Sequence, residues 1–204
     1  MRYMYPMAAM ILALVMFAGC YAYQPMNYGQ HRAGVTRGGY VDGPLTTAVN
    51  ASETQSQGKI AEFSTQFKNP KRARAHNITL AGQKIDESVV QPGEEFSFNT
   101  AVGPTTKRNG FMLGMVFNSG RRSQCYGGGV CQVSSTLFNT AKQAGMEITE
   151  RHEHSLDVGY IERGKDAATS YGVKDLKFVN PHEYPVRINA YVVNETIVVE
   201  MHRL

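Results

Sequence analysis

The chain lacks most of the features that settle a protein's class at a glance. Of its 204 residues only three are cysteine, and no two stand in the close pair that structural zinc sites use. No His-x-x-x-His run occurs. The apolar stretch from Met7 to Ala18 is too short to cross a ~30 Å hydrocarbon core as an ordinary membrane helix. There is no internal repeat and no separate wall-binding module. The formal net charge of +4 suits contact with an anionic polymer without naming one. These absences leave no implied cofactor and little support for a metal centre.

What is present begins with an N-terminus that sets the compartment. Arg2, the apolar run and Gly19-Cys20 read as an export signal, which is set aside from fold reasoning. Phe17-Ala18-Gly19-Cys20 is similar to a bacterial lipobox, with Phe17 where leucine is usual. A lipid on Cys20 would tether the chain to a membrane, and the expected location is the cell envelope, facing the periplasm or wall. Export removes any support for nucleic-acid binding. It also leaves Cys125 and Cys131 as the remaining thiols in an oxidising setting. Either they close a disulfide across the glycines between them, or Cys131 stays free and reactive; sequence leaves both open.

Three segments follow from composition and periodicity: residues 1–20 as signal, 21–58 as a polar tether, and 59–204 as one folded domain. Ile60 to Phe67 alternates as a strand, and Lys68 to Arg74 reads as a solvated basic turn. A helix is expected from His76, capped by Asn77, with Ile78, Ala81, Ile85 and Val89 on one face. Glu95 to Asn99 and the region of Met112 to Phe117 read as strands. A second helix is expected to start near Cys131, carry Val133, Leu137, Ala141 and Ala144, and stop at Gly145. Strands then follow over Met146 to Ser155, Leu176 to Val179, Val186 to Val193 and Thr196 to His202, the last two joined by a tight turn at Asn194-Glu195. The expected fold class is α+β: a mostly antiparallel sheet with about two helices and a cysteine at a helix N-terminus.

The chemistry concentrates at Gly127-Gly128-Gly129-Val130-Cys131. A thiol is a good nucleophile as the thiolate, which a helix N-terminus stabilises. Gly127, Gly128 and Gly129 let backbone N–H groups face a substrate oxygen as an oxyanion hole. The plainer alternative is a tight turn followed by a small buried cysteine. His152 and His154, two apart on the expected strand, would face one side, one as general base and the other orienting it or meeting substrate. Gln132, Ser134, Ser135, Asp166 and Tyr171 are expected on the substrate side, with Tyr160, Lys165 and Gly172 in a loop that walls the cleft. Cys131, both histidines and a carboxylate such as Asp166 compete as a zinc set, although no helical or close-spaced pattern supports it.

Pro92-Gly93-Glu94-Glu95-Phe96-Ser97-Phe98-Asn99, Val102-Gly103-Pro104, the run from Gly127 to Leu137, and Glu150-Arg151-His152-Glu153-His154-Ser155 together resemble the VanW-like family of bacterial envelope proteins. Asp166-Ala167, Tyr171-Gly172, Asn180 and Tyr184-Pro185 continue the likeness, which covers roughly residues 59 to 203. The resemblance implies a link to glycopeptide resistance and, from some members, a peptidoglycan L,D-transpeptidase activity. Cys131 would then attack the carbonyl before the terminal D-alanine of a stem peptide, and an amine of a neighbouring stem would resolve the thioester. Water as acceptor would make it a carboxypeptidase.

Two positions depart from the family pattern. Glu153 stands where relatives often have proline, and a carboxylate there would raise the pKa of a neighbouring histidine. Cys125 is not part of the motif, and a disulfide to Cys131 would silence the thiol. A non-catalytic envelope module that binds stem peptides or partner proteins remains the alternative class.

Overall fold

The computed structural model describes residues 58–67, 71–118 and 121–204. The export signal with Cys20, the tether up to residue 57 and positions 68–70 of the basic turn lie outside the described residues.

The framework is a four-stranded antiparallel sheet in the order β1-β9-β8-β2. Its strands are β1 (Lys59–Gln66), β2 (Val89–Val90), β8 (Val186–Val193) and β9 (Thr196–Arg203). In β9 Ile197, Val198, Val199, Met201 and His202 are all buried, whereas β8 alternates with Val186, Ile188 and Ala190 inward. The β8–β9 turn at Asn194-Glu195 takes positive φ at both residues, as a two-residue hairpin requires. A smaller antiparallel sheet holds β3 (Glu95–Ser97), β7 (Lys177–Val179) and β6 (Glu147–Glu150) in the order β3-β7-β6. Phe96 and Phe178 stack in it with ring centroids 5.0 Å apart. β4 (Leu113–Asn118) and β5 (Arg121–Tyr126) form a separate hairpin.

Helix α1 (Arg72–Ile85) packs on β8, and α3 (Val130–Gln143) packs on β1, on β9 and against α1. Ile78, Ala81 and Ile85 give α1 its buried stripe, and Val133, Leu137 and Ala141 do so for α3. The α+β class and the antiparallel pairing match expectation. The differences are local and have causes. α1 starts at Arg72, so Arg72 and Arg74 belong to its first turn rather than to a solvated loop. Asn77 is therefore not a cap. It is fully buried inside α1, donates to the carbonyls of Met112 and Gly128, and accepts from the Met112 N–H. α1 ends at Ile85, and Val89 moves into β2 opposite Arg187. A third, five-residue helix, α2 (Phe98–Val102), cuts the expected strand short because Ser97 accepts a capping bond from Thr100 N at 3.1 Å. β6 stops at Glu150 rather than running to Ser155.

Asn77 thus pins the glycine loop to β4 from within a helix. Asn77→Ala is expected to lower stability by roughly 2–4 kcal/mol, since it strips partners from one buried and two partly buried backbone groups. Denaturant unfolding of the full chain with an unchanged slope checks this.

Candidate active site

Cys131 is the second residue of α3. The chain enters the helix through Gly129, whose φ of 114° no side chain adopts comfortably. A Cβ there would lie 3.1 Å from both Arg74 Cγ and Ile78 Cγ1 on α1. Gly127, at φ 84°, is tighter still: its Cβ would meet Thr105 Cβ at 2.6 Å. These glycines let the loop press against its neighbours and set the pitch at which α3 begins. The N–H groups of Val130 and Gln132 bond the carbonyls of Gly127 and Gly129. Among the described residues the Cys131 amide, which lies in a helix first turn, makes no comparable bond. Cys131 carries a free thiol, so it is not bridged to Cys125.

α3 is buried around nearly its whole circumference, which its hydroxyl-rich sequence would not suggest. The reason is a strap formed by the residues around Asp166. Asn139 donates to the Lys165 carbonyl at 2.7 Å, Ser134 donates to the Ala167 carbonyl at 2.7 Å, and Ser135 accepts from the Ala167 N–H at 2.9 Å. The strap is held on its other side by Ala168 N–H on the His152 carbonyl at 2.7 Å. Ser134 and Ser135, expected against substrate, are instead fully buried fasteners. Gln132 is buried as well. It donates to Thr65 Oγ1 at 3.0 Å and accepts from the Arg74 guanidinium at 2.6 Å, locking β1 to α1.

The strap delivers Asp166 to His154. One carboxylate oxygen accepts from the His154 backbone N–H at 2.7 Å and lies 2.6 Å from Nδ1 of its ring. The other lies 3.2 Å from the Arg151 guanidinium, whose Nε also donates to the Asp166 carbonyl at 2.7 Å. With Nδ1 so engaged, the other ring nitrogen is the one left for Cys131, and the two groups are near enough for each to shift the other's ionisation. The thiol also contacts the Thr169 carbonyl at 3.5 Å and its hydroxyl at 3.8 Å.

His152 does not join this group. Its Nε2 lies 2.9 Å from Glu150, whereas His154 is engaged by Asp166. The expected alternation fails because the chain leaves the sheet after Glu150. Glu150, also bonded by the Asp175 N–H and Lys177, is held at a pKa of about 2, with the His152 bond the largest cause. Glu153 is drawn aside by Arg151 at 2.9 Å. Tyr171 sits half-exposed in a turn. Among the described residues no three His, Cys, Asp or Glu side chains are grouped as metal ligands; Asp166 is spent on His154 and Arg151.

The electrostatics favour an ion pair. Burial pushes the Cys131 thiol up, but the His154 hydrogen bond and charge, with Thr169, outweigh it and leave the thiol below its usual range. For His154, burial lowers the pKa, and Cys131 and Asp166 together raise it above the ordinary histidine value. Asp166 is held below its usual range: burial opposes ionisation, and the bonds from His154 overcome it. Alkylation of Cys131 by iodoacetamide is therefore expected to rise with pH through a midpoint below the ordinary ~8.5 of a free thiol. In His154→Ala the cation is lost and the burial remains, so the midpoint moves upward; a rate–pH profile for each protein measures both.

Two residues that the sequence reading passed over or left as wall complete the surroundings. Tyr160 donates to the Cys131 carbonyl at 3.2 Å and lies 3.4 Å from Ser135. Burial, helped by the charge of Cys131, holds its phenol protonated above its ordinary range. Arg74 lies over the Tyr160 ring, 5.8 Å from the centroid.

Fold and site together define a small α+β domain with a cysteine, a histidine and an aspartate in series at the start of a buried helix. The chain belongs to the VanW-like family: the model described as VanW like protein matches residues 73–202. It is 40% identical over 135 residues to the uncharacterized protein YoaR of Bacillus subtilis (strain 168), covering 66% of this chain and 45% of that one. It is 28% identical over 130 residues to the vancomycin B-type resistance protein VanW of Enterococcus faecalis (strain ATCC 700802 / V583), covering 61% of this chain and 47% of that one. The chain thus spans about half the length of these curated relatives. No solved structure matches it.

Proposed function

We propose that this protein is a cysteine acyltransferase of the cell envelope that acts on peptidoglycan stem peptides in the manner of an L,D-transpeptidase. The observation that supports the reading is the series Cys131, His154, Asp166, in which the aspartate fixes the ring by Nδ1 and the imidazole lowers the pKa of the thiol. That series suits nucleophilic catalysis in two half-reactions.

In the first, the Cys131 thiolate attacks the carbonyl carbon of the bond to the terminal D-alanine. Charge develops on the carbonyl oxygen and is stabilised by the Cys131 amide in the first turn of α3. His154, as imidazolium, gives its proton to the departing amine as the C–N bond breaks, leaving a thioester. In the second, an amine of a neighbouring stem attacks the thioester carbon, neutral His154 takes its proton, and the thiol is regained. Water in place of the amine gives the carboxypeptidase outcome.

The setting is drawn from the export-signal pattern with Cys20 as lipid anchor, from the net charge of +4 and from the resistance protein among the relatives. No helix among the described residues is long and apolar enough to cross a membrane. The test is intact-mass spectrometry of the full chain with a tetrapeptide stem, beside Cys131→Ala. A thioester adduct or cross-linked product is expected with the wild type and absent from Cys131→Ala. A folded, reduced wild type showing neither, yet still binding the stem, would instead make the domain a binding module.

A further inference from the structure

Arg74 has no role in the scheme above, yet the fold positions it closely. It lies in the first turn of α1, where its stem lines the glycine loop: Gly129 has no room for a Cβ because Arg74 Cγ occupies that space. Its guanidinium is fixed from one side by Gln132 Oε1 at 2.6 Å. It lies over the ring of Tyr160, whose hydroxyl bonds the Cys131 carbonyl. It is near enough to Cys131 for the thiolate to act on it electrostatically. Half-buried, it has been drawn partly out of water, and desolvation lowers its pKa. A cation in that position is ordinarily matched by a carboxylate. Among the described residues none is paired with it; the opposing charge that reaches it is that of the Cys131 thiolate. A guanidinium has five N–H donors in a rigid fork, and Gln132 engages a single nitrogen of it.

We infer that Arg74 is the recognition site for a free carboxylate on the acyl donor, the α-carboxylate of the residue that leaves when Cys131 is acylated. The inference rests on the acyl-transfer reading and deepens it. It makes the enzyme selective for donors whose chain ends one residue beyond the scissile carbonyl, because that is where such a carboxylate sits. An amidated or extended donor offers no anion to the fork. The pairing lasts only until the leaving residue departs, so the acceptor amine meets a thioester with the cation unoccupied, and the like charge of an ammonium is disfavoured there over a neutral amine.

The test uses alkylating probes that carry the leaving residue but need no turnover: N-bromoacetyl-D-alanine and its C-terminal amide. In each, a bond forms from the Cys131 sulfur to the methylene carbon and bromide departs. Rates are read by peptide mapping of Cys131 in the full chain. Wild type is expected to react with the acid faster than with the amide by at least about tenfold, the worth of one charge-assisted hydrogen bond. Arg74→Gln should abolish that preference, read as the acid-to-amide ratio within each protein, and Arg74→Lys should keep part of it. The Lys variant guards against a fold disturbed at Gln132, which circular dichroism reports. Equal rates for acid and amide in the wild type, or a preference that survives Arg74→Gln, overturn the assignment and leave the acyl-transfer reading standing. A reduced, folded wild type whose Cys131 reacts with neither probe overturns both.

Discussion

If the protein is the acyltransferase proposed, Asp166→Asn is expected to leave a folded protein whose acyl-transfer rate falls by roughly 10²–10⁴, the scale seen when a carboxylate that orients a catalytic imidazole becomes an amide. The geometry says why so small a change is severe. One oxygen of Asp166 serves both the backbone N–H and Nδ1 of His154, and the other faces the Arg151 guanidinium. An amide meets these demands in neither orientation. With its oxygen toward His154, its NH₂ confronts the donors of Arg151. Turned over, it offers donors to the His154 N–H and to Nδ1, so the ring must carry its proton on the nitrogen that should receive one from Cys131. The loss of the carboxylate also removes part of what raises the pKa of His154. The alkylation midpoint of Cys131 should accordingly move upward, though less than in His154→Ala. A purely structural role for Asp166 would lower the unfolding midpoint and leave that pH profile where it was. Steady-state rates and the profile, taken together, separate the two.

Gly129→Ala should be a severely damaging single-methyl change beside the site, lowering stability by about 2–5 kcal/mol from backbone strain and overpacking combined. A φ of 114° is outside the conformations an alanine holds without strain, and the added Cβ meets Arg74 Cγ and Ile78 Cγ1 at 3.1 Å and the Arg74 carbonyl oxygen at 3.3 Å. Ile78 is fully buried and cannot yield without disturbing the α1 stripe. Relief would come from rotating the start of α3, which carries Cys131 away from His154. The expected result is a lower unfolding midpoint together with a Cys131 whose alkylation profile moves back toward that of an ordinary thiol. A variant as stable as the wild type with an unchanged profile would mean that the loop has more freedom than these contacts allow.

Both expectations depend on residues that differ in how visible they were beforehand. The helix start at Cys131 was legible because glycines followed by a regular apolar stripe are local signals, complete within one segment. β1, β8 and β9 of the larger sheet were legible for the same reason, and so was the two-residue turn at Asn194-Glu195; β2 was not, because Val89 continued the helical stripe. The short α2 was missed because its cap, Ser97, looks like one more residue of an alternating run. The pairing of His152 with Glu150 was missed because period-two reasoning was carried past the end of β6. A signal for that end did exist: from Glu150 to Ser155 neither side of the supposed strand carries an apolar residue.

The amino-acid sequence by itself determined the class of fold, the family and the placing of a cysteine at the mouth of a helix, since each is written in contiguous patterns. Only the tertiary structure decided which histidine faces the thiol, that Asp166 holds that histidine, that Gln132, Ser134 and Ser135 are buried fasteners, and that Arg74 stands beside the site. Those facts arise from pairs far apart in the chain: His154 with Asp166, Ser134 with Ala167, Gln132 with Thr65 and Arg74. A buried polar side chain must find a partner wherever the fold brings one within reach, and spacing along the chain carries no record of that distance.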